Sequence, residues 1–482
     1  MKKKLTKLLA LCLSCIMLLG LAACGNNDTN TPADTNTPAD TNTPADTNTP
    51  ADTNTPADTN TEPSGDKVHI TYAFWGSEEE AANTQKVLDI FNAENDHIEV
   101  EAVVIPWESY METLNTRAMG GTLPDCALMS EAGVLQWASQ GMLADVSSMY
   151  ADSDAKPLSS ATYTYDGKEV AYAVANNSLL LYYNKDMFDA ANVAYPSADA
   201  ANAWTWDEFV ETAKLLTLDT NGNNAASPDF DPNNIVQYGC MVENLTWQLE
   251  VWCRSNGSGF YNEDGSEVTI NEQAAIDAIQ AVADLYLVHH VAPLSTGLTD
   301  DGVSRSLIAG TVAMTTNGAW NIGTCLAAAK AEGLNYGIGV LPYMKEKVTT
   351  ATGGPNVIFS QGEHQEEAME FIKWYSREDN NWDGLISTGI WAPVLSSYYD
   401  GGELTEKWLK NPNFPEYEEA KSVLVDYVNE YAVPVSWYYT NNTTDFNELL
   451  GSILGNVWTG GTTAAEAING NLNALLAAHA GD

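Results

Sequence analysis

The sequence predicts an α/β protein with two lobes. The stretch from Val68 to Trp75 alternates apolar and polar residues as a strand does, and Ile98–Ile105 has the composition of a second strand. Between them, Ser77-Glu78-Glu79-Glu80 has the form of a capping box, and Val87, Leu88 and Phe91 mark the buried face of a helix. Strand, helix and strand in this order form a βαβ unit and imply a partly parallel sheet. The 416 residues from Lys67 to Asp482 are more than one core usually serves, so two lobes are expected.

The same alternation continues along the chain. A helix is predicted near Trp107–Met119, a short buried strand at Ala127–Met129 and another helix near Ala132–Gln140. Further along, Thr205-Trp206-Asp207-Glu208 has the form of a second capping box. In open α/β sheets, ligands bind beyond the carboxyl ends of the strands. The residues that this rule places at a candidate rim are Trp75, Gly76, Ser130 and Glu131.

The N-terminus has the features of an export signal. Four lysines at positions 2–7 precede the apolar run Leu8–Leu21, which is shorter than the roughly 20 residues that a transmembrane helix needs. The quartet Leu21-Ala22-Ala23-Cys24 resembles the bacterial lipobox, in which the cysteine sulfur is lipidated and becomes the first mature residue. The alternative is an ordinary A-x-A cleavage site with an incidental cysteine. We expect residues 1–23 to be a lipoprotein signal peptide.

Residues 24–66 are predicted to be a disordered tether. The hexapeptide Asp-Thr-Asn-Thr-Pro-Ala occurs five times in exact succession from Asp28 to Ala57. It holds no apolar residue larger than alanine, so burial cannot offset the entropy of ordering it. As a coil, its reach is about 35–40 Å, and fully extended it would span roughly 130 Å.

Composition excludes several functional classes. A formal net charge of −44 disfavours nucleic acid and anionic lipid as partners, since both require a basic surface. The chain has no CxxC motif and no His/Cys cluster with zinc spacing, and no Gly-rich phosphate loop follows a strand. We therefore expect no metal and no cofactor. Cys126, Cys240, Cys253 and Cys325 could pair outside the cell, but nothing in the sequence requires it.

Several motifs occur in the order found in a known family. They are "VAYAVANNSLLLYYNKDMFDAANVAYP", "AWTWDEFVETAKLLT", "GTLPDCALM", "GTVAMTTNGAW", "YGIGVLPYM", "ATGGPN", "EEAMEFIKWYS" and "GGTTAAEAINGNLNAL". Together they resemble type 1 extracellular solute-binding proteins of ABC importers, the group of the maltose- and oligosaccharide-binding proteins. The resemblance spans about residues 67–475.

The resemblance implies a type II periplasmic-binding-protein-like fold, with a ligand cleft between two lobes. It places residues 67–176 and 341–382 in the N-terminal lobe, and residues 177–340 and 383–482 in the C-terminal lobe. A hinge is expected near Ala175–Ser178, because the strand ending at Asn184 crosses between the lobes in this family.

The resemblance also selects candidate ligand-binding residues. Sugar clefts need flat aromatic faces for pyranose C–H surfaces, with carboxylates and amides for the hydroxyls, and Trp320 matches the stacking aromatic of the second lobe. Most of the 14 tryptophans are nevertheless expected to fill cores. The other candidates are Trp247, Glu243, Asn177, Trp437, Trp391, Trp75, Glu131 and the backbone of Gly354.

One loop resembles the start of a calcium site. Asp219, Asn221 and Asn223 place oxygen atoms at alternate positions, but position six is Asn224 rather than glycine and position twelve is Phe230 rather than glutamate. A polar surface loop is the favoured interpretation.

The sequence therefore predicts a non-catalytic, lipid-anchored and monomeric receptor. It would capture a carbohydrate, most simply an oligosaccharide, at the outer face of the cytoplasmic membrane and deliver it to the permease of an ABC importer. Two alternatives stay open, an enzyme acting on polysaccharide and a stalked surface adhesin. The six histidines form no Ser/His/Asp pattern, and no carboxylate pair is marked as catalytic.

Overall fold

The computed structural model describes residues 67–76, 78–151, 157–294, 306–412 and 414–481. All of them fall within one unit that spans Glu62–Asp482. The predicted signal peptide, Cys24 and the repeat lie outside the described residues, as does Ser77, with which a capping box was expected to begin.

The described strands belong to one mixed sheet. They are β1 (Val68–Phe74), β2 (Ile98–Val104), β3 (Cys126–Leu128), β4 (Thr162–Tyr165), β5 (Lys168–Asn184), β6 (Leu218–Asp219), β7 (Ile235–Met241), β8 (Val312–Gly318), β9 (Tyr336–Gly339), β10 (Thr349–Ile358) and β11 (Ala432–Val433). The order along the sheet is β2-β1-β3-β10-β5-β8-β7-β6, and β4, β9 and β11 pair beside this path. The β1–β2, β1–β3 and β7–β8 pairs are parallel, as βαβ connections require.

Helices cover this sheet. Those described are α1 (Glu78–Glu94), α2 (Tyr110–Gly120), α3 (Glu131–Ser139), α4 (Ser148–Ala151), α5 (Lys185–Ala191), α6 (Trp206–Leu216), α7 (Thr246–Ser255), α8 (Gln273–Leu287), α9 (Asn321–Glu332), α10 (Gln365–Tyr375), α11 (Glu378–Asn381), α12 (Glu403–Leu409), α13 (Tyr417–Lys421), α14 (Tyr427–Tyr431), α15 (Thr443–Trp458), α16 (Ala464–Gly470) and α17 (Leu472–Ala480). A short 3₁₀ turn, Ser436–Tyr438, lies between β11 and α15.

Strand β5 changes partners along its length. Its residues 172–178 pair with β10, which in turn pairs with β3. From Leu179 onward it pairs instead with β8 and β9. One continuous strand therefore joins two halves of the sheet, and the change of partner falls beside the predicted hinge. The lobe boundaries themselves stay predictions.

The apolar core is divided in the same way. One cluster, around Leu180, Trp252 and Leu454, fills the half of the molecule that contains β7 and β8. Two others, around Phe371 and around Tyr110, lie on the half that contains β1–β3. Separate cores joined by a shared strand are the arrangement expected of two lobes.

Local sequence signals explain several element boundaries. Thr205 and Glu208 form the predicted capping box of α6, because the Thr205 side chain accepts from the Glu208 N–H while the Glu208 carboxylate accepts from the Thr205 N–H. Strand β5 ends at Asn184, whose side chain accepts from the Met187 N–H and caps α5.

The oxygens of the loop that resembled a calcium site are engaged within the chain. The Asp219 carboxylate accepts backbone N–H groups of Asn221, Asn223 and Asp231, at 2.8–3.0 Å, and also the Asn223 side-chain amide. Burial disfavours its charge, but these donors outweigh burial and lower the pKa of Asp219 to about 2. The geometry is that of a polar turn.

The four cysteines of the described chain are buried and unpaired.

Candidate functional site

Three tryptophans meet at the centre of the candidate site. The ring centroid of Trp247, in the first turn of α7, lies 6.1 Å from that of Trp320 and 5.8 Å from that of Trp437. Trp320 directly precedes α9, and Trp437 lies in the 3₁₀ turn. These residues come from three separate segments, and the motifs had selected each of them individually. We call them the aromatic group.

Gly318 explains how Trp320 reaches this position. A Cβ atom at Gly318 would lie 2.0–2.2 Å from three carbons of the Trp320 ring. The indole therefore lies directly on the backbone at the end of β8, where only glycine leaves room for it. This contact explains why the Gly-Ala-Trp motif has glycine two residues before the tryptophan.

A buried carboxylate lies beside the aromatic group. Glu243 accepts from the side-chain amides of Gln248 and Asn317, the latter at 3.4 Å, and Asn317 also accepts from the Gly318 N–H at 2.6 Å. Glu243 was a predicted site residue, whereas Gln248 and Asn317 were not. Gln248 directly follows the predicted residue Trp247, and Asn317 directly precedes Gly318 of the Gly-Ala-Trp motif. This adjacency is the sequence feature that could have indicated them.

A second polar group lies on the β10 side. The Glu131 carboxylate, at the start of α3, accepts from the Thr352 hydroxyl at 2.9 Å, and Thr352 is paired with Asn177 across the β10–β5 ladder. Burial raises the pKa of Glu131 to about 7, although the Thr352 hydroxyl and a backbone N–H partly oppose that rise. Thr352 thus links two predicted residues, Glu131 and Asn177, that are distant in the sequence.

Tyr438 connects the two groups and had not been predicted. Its ring centroid lies 6.4 Å from that of Trp437 and 4.9 Å from that of Tyr163, with which it is stacked. Its hydroxyl accepts from the Gly353 N–H at 2.9 Å and donates to the Ser160 carbonyl at 2.6 Å. The tyrosine follows a predicted tryptophan directly, but nothing in the sequence indicates that its hydroxyl binds across to β10.

Several polar atoms of this region have no hydrogen-bond partner among the described residues. They are the Asn177 Oδ1, the Gln248 Oε1 and the Trp437 Nε1, and all three are buried. Buried polar atoms are nearly always paired in folded proteins, so an unpaired set needs a reason. Two acceptors and one donor beside aromatic faces match the needs of a hydroxyl-rich molecule.

The remaining predicted residues have no ring contact or hydrogen bond with the aromatic group among the contacts described. Trp75 contacts Trp107 and Tyr110, each with a centroid separation of 4.9 Å, and packs on the same apolar cluster as Trp247 and Trp437. The ring contact of Trp391 is instead with Tyr375, at 6.5 Å.

The backbone of Gly354 lies in β10, paired with Ala175. Together with Trp75 and Trp391, it stays a prediction as a ligand contact.

The sequence matches a known protein family. The profile of the bacterial extracellular solute-binding proteins matches residues 86–416, about two thirds of the chain. The chain belongs to this family. The family that the motifs indicated is thereby confirmed. Trp247 and Trp320 of this solute-binding protein lie within the matched region, and Trp437 lies C-terminal to it.

The relatives of this solute-binding protein found by sequence comparison are distant. A putative binding protein of Brucella abortus is 23% identical over 61% of this chain and 68% of its own length. An arabinooligosaccharide-binding protein of Halalkalibacterium halodurans is 26% identical over 44% of each chain. An sn-glycerol-3-phosphate-binding periplasmic protein of Rhizobium meliloti is 29% identical over 51% of this chain and 54% of its own length.

Solved structures share the fold. An ABC substrate-binding protein from Listeria monocytogenes in complex with cycloalternan superposes with a TM-score of 0.70 at 23% identity, covering 85% of this chain and 98% of that one. A solute-binding protein from Thermotoga lettingae bound with α-D-tagatose gives 0.72 at 20% identity, covering 85% and 100%. The predicted two-lobed type II periplasmic-binding-protein fold is confirmed.

Other features of the solute-binding protein lie outside this site. A cavity of about 400 Å³ is lined by Tyr150, Tyr172, Arg377, Glu378 and Tyr398 among others and contains none of the predicted residues. Within the described ranges, no three His, Cys, Asp or Glu side chains are grouped as metal ligands would be. No helix of the described chain has both the length and the apolar character needed to cross a membrane.

Proposed function

We propose that this protein captures a carbohydrate, and specifically an oligosaccharide, in the cleft between its lobes and delivers it to the permease of an ABC importer. The observation that carries the proposal is the aromatic group, Trp247, Trp320 and Trp437, with a buried carboxylate and three unpaired polar atoms beside it. Sugars present both an apolar C–H face and a rim of hydroxyls, and this site offers a partner for each.

Relatives supply two candidate ligand classes. The names of the arabinooligosaccharide-binding relative and of the cycloalternan complex support an oligosaccharide. The sn-glycerol-3-phosphate-binding relatives support a small phosphate ester. The chemistry of the site favours the first class, because Glu131 and Glu243 contribute acidic groups, and Arg254, a cation of helix α7, is already bound to Glu250. A phosphate would need cationic partners in their place.

The proposal includes no catalytic step. A polysaccharide-acting enzyme would need two carboxylates placed on either side of a scissile bond. Here Glu131 is engaged by a threonine hydroxyl and Glu243 by two amides, as expected of groups that hold a ligand. An assay for reducing ends with candidate oligosaccharides separates the two functions, because a binding protein releases none.

We infer the same cellular arrangement as the sequence indicated. Lipidation of Cys24 would anchor the monomer at the outer face of the cytoplasmic membrane, and the repeat would let the receptor reach solute and return to its permease. The anchor is tested by the mass of the mature N-terminal peptide, with Cys24→Ser as control.

Deletion of three repeat copies should leave sugar affinity unchanged, whereas a loss of affinity would place the repeat within the fold. A stalked adhesin would show no saturable binding of a small free sugar.

The ligand class is tested by a thermal-shift screen. The panel holds mono- and oligosaccharides together with sn-glycerol 3-phosphate, and it is run on the wild type, Trp320→Ala and Trp374→Ala. Trp374 is partly buried against Phe91, outside the aromatic group, so it is a matched loss of an indole. We expect an oligosaccharide to raise the melting temperature of the wild type and of Trp374→Ala but not of Trp320→Ala. A shift with the phosphate ester alone would overturn the carbohydrate assignment.

A further inference from the structure

The segment Ser436–Tyr439 is held from two sides. Ser436 is held by helix α7, because the Glu250 carboxylate accepts from its N–H at 3.1 Å and from its hydroxyl at 2.8 Å. Tyr438 is held from the opposite side, by β10 and by the Ser160 carbonyl, as described above. Trp437 lies between these two attachments, so its position depends on both.

Glu250 is a buried carboxylate whose oxygens are engaged by hydrogen-bond donors. It is 1% exposed, and both of its oxygens are used, one by Ser436 and the other by Arg254 and the Tyr439 hydroxyl, each at 3.3 Å. A buried carboxylate is costly unless it is paired and fully hydrogen-bonded, and this one is both. The buried Glu250 carboxylate therefore binds Ser436, the first residue of the segment.

The same helix carries the partner of Trp437. Trp247 and Glu250 are three residues apart on α7 and thus lie on neighbouring positions of one face. Trp247 contacts the Trp437 ring directly, while Glu250 holds the backbone that carries this ring. A single rigid helix thus fixes the separation and the angle between the two rings.

We propose that Glu250 is a positioning residue for ligand binding, which acts by holding Trp437 against Trp247 through Ser436. The proposal rests on the carbohydrate-binding function proposed above, but its structural part does not depend on which ligand binds. Glutamine at this position would keep the shape of the side chain. It would replace one of the two carboxylate oxygens by an NH₂ group, which cannot accept from Ser436, Arg254 or Tyr439. The segment Ser436–Tyr439 would therefore lose part of its hydrogen bonding to α7.

The positioning is tested without any ligand by ¹⁵N-tryptophan labelling. Each indole N–H gives one resonance, and Trp437→Phe assigns that of Trp437. We expect Glu250→Gln to move the Trp437 resonance. The control is Glu378→Gln, which removes another buried carboxylate that accepts a backbone N–H, that of Leu395 at 3.2 Å. The proposal is overturned if Glu250→Gln leaves the Trp437 resonance in place, or if both variants move it equally.

A milder variant covers the case in which Glu250→Gln does not fold. Ser436→Ala removes the 2.8 Å hydroxyl bond and keeps the backbone bond, so it should move the Trp437 resonance in the same direction by a smaller amount. An unchanged resonance in a folded Ser436→Ala protein would contradict the proposal as well.

The effect on binding is tested by a double-mutant cycle with maltotriose as the probe. Glu250→Gln should weaken binding roughly tenfold when Trp437 is present and should have no further effect in a Trp437→Ala background, because coupled residues are not additive. Equal losses in both backgrounds would show that Glu250 acts independently of Trp437. If maltotriose does not bind the wild type, the carbohydrate proposal is weakened, while the indole spectrum still decides the positioning.

Discussion

Glu131 gives the solute-binding protein a predicted pH dependence near neutrality. Burial raises the pKa of its carboxyl from an ordinary 4.5 to about 7, and the groups that face it are the Thr352 hydroxyl and the rings of Tyr163 and Tyr438. Between these two pKa values the unfolded chain is ionised while the folded protein still holds the proton. Raising the pH through this window therefore favours unfolding. The stabilisation is complete below pH 4.5 and is lost as the pH rises through 7.

The size of this effect follows from the two pKa values. Their difference of about 2.5 corresponds to about 3 kcal/mol in the free energy of unfolding. This value is an upper limit, because the Glu131 side chain keeps part of its surface exposed. Glu131→Gln removes the titration and keeps the acceptor for Thr352. The variant should therefore gain stability relative to the wild type as the pH rises.

The assay is guanidinium unfolding of both proteins between pH 4.5 and 8. The free energy of unfolding of the wild type minus that of Glu131→Gln should fall by up to about 3 kcal/mol between pH 4.5 and 7.5 and then stay constant. The control is Glu363→Gln, which removes an exposed carboxyl group, and an equal fall in this control would contradict the role of burial. Parallel pH profiles for the wild type and Glu131→Gln would refute the reasoning.

Three further outcomes are expected. Gly318→Ala should displace the Trp320 ring and weaken sugar binding as Trp320→Ala does. Gly455→Ala, where a Cβ meets nothing within 4 Å, should leave binding intact, and titration of the two variants checks this. Thr205→Ala removes the α6 capping box and should cost about 1 kcal/mol in guanidinium unfolding. The carboxylate of Asp219 stabilises the fold above pH 3.8, and this contribution is lost as the pH falls towards 2. Asp219→Asn should therefore flatten the acid limb of the stability profile.

Local patterns in the sequence were enough to predict several elements of the fold. The βαβ unit, the α6 capping box and the end of β5 depend on residues close together in the chain, and each was predicted from them. Partner choice in the sheet could not be predicted in this way. Strand β10 pairs with β3 and β5, whose residues lie more than 160 positions earlier, and only tertiary packing decides such pairings.

The candidate site was predicted in part. Trp247, Trp320 and Trp437 came from family motifs, and the structure brings them into contact. Asn317 and Tyr438 were missed because their roles depend on what lies across from them, Glu243 and β10, rather than on their own sequence context. Burial, which raises the pKa of Glu131, is likewise a property of the assembled cleft and has no local signature in the sequence.

The most direct test of carbohydrate capture is a calorimetric titration of the wild type and Trp320→Ala with the oligosaccharide that gives the largest thermal shift. Removing an aromatic face that covers a sugar ring should cost about 1.5–3 kcal/mol of binding free energy, roughly a 10- to 150-fold loss of affinity. We expect that loss for Trp320→Ala and unchanged affinity for Trp374→Ala. Equal affinity in the wild type and Trp320→Ala would contradict the assignment of the aromatic group as the sugar site.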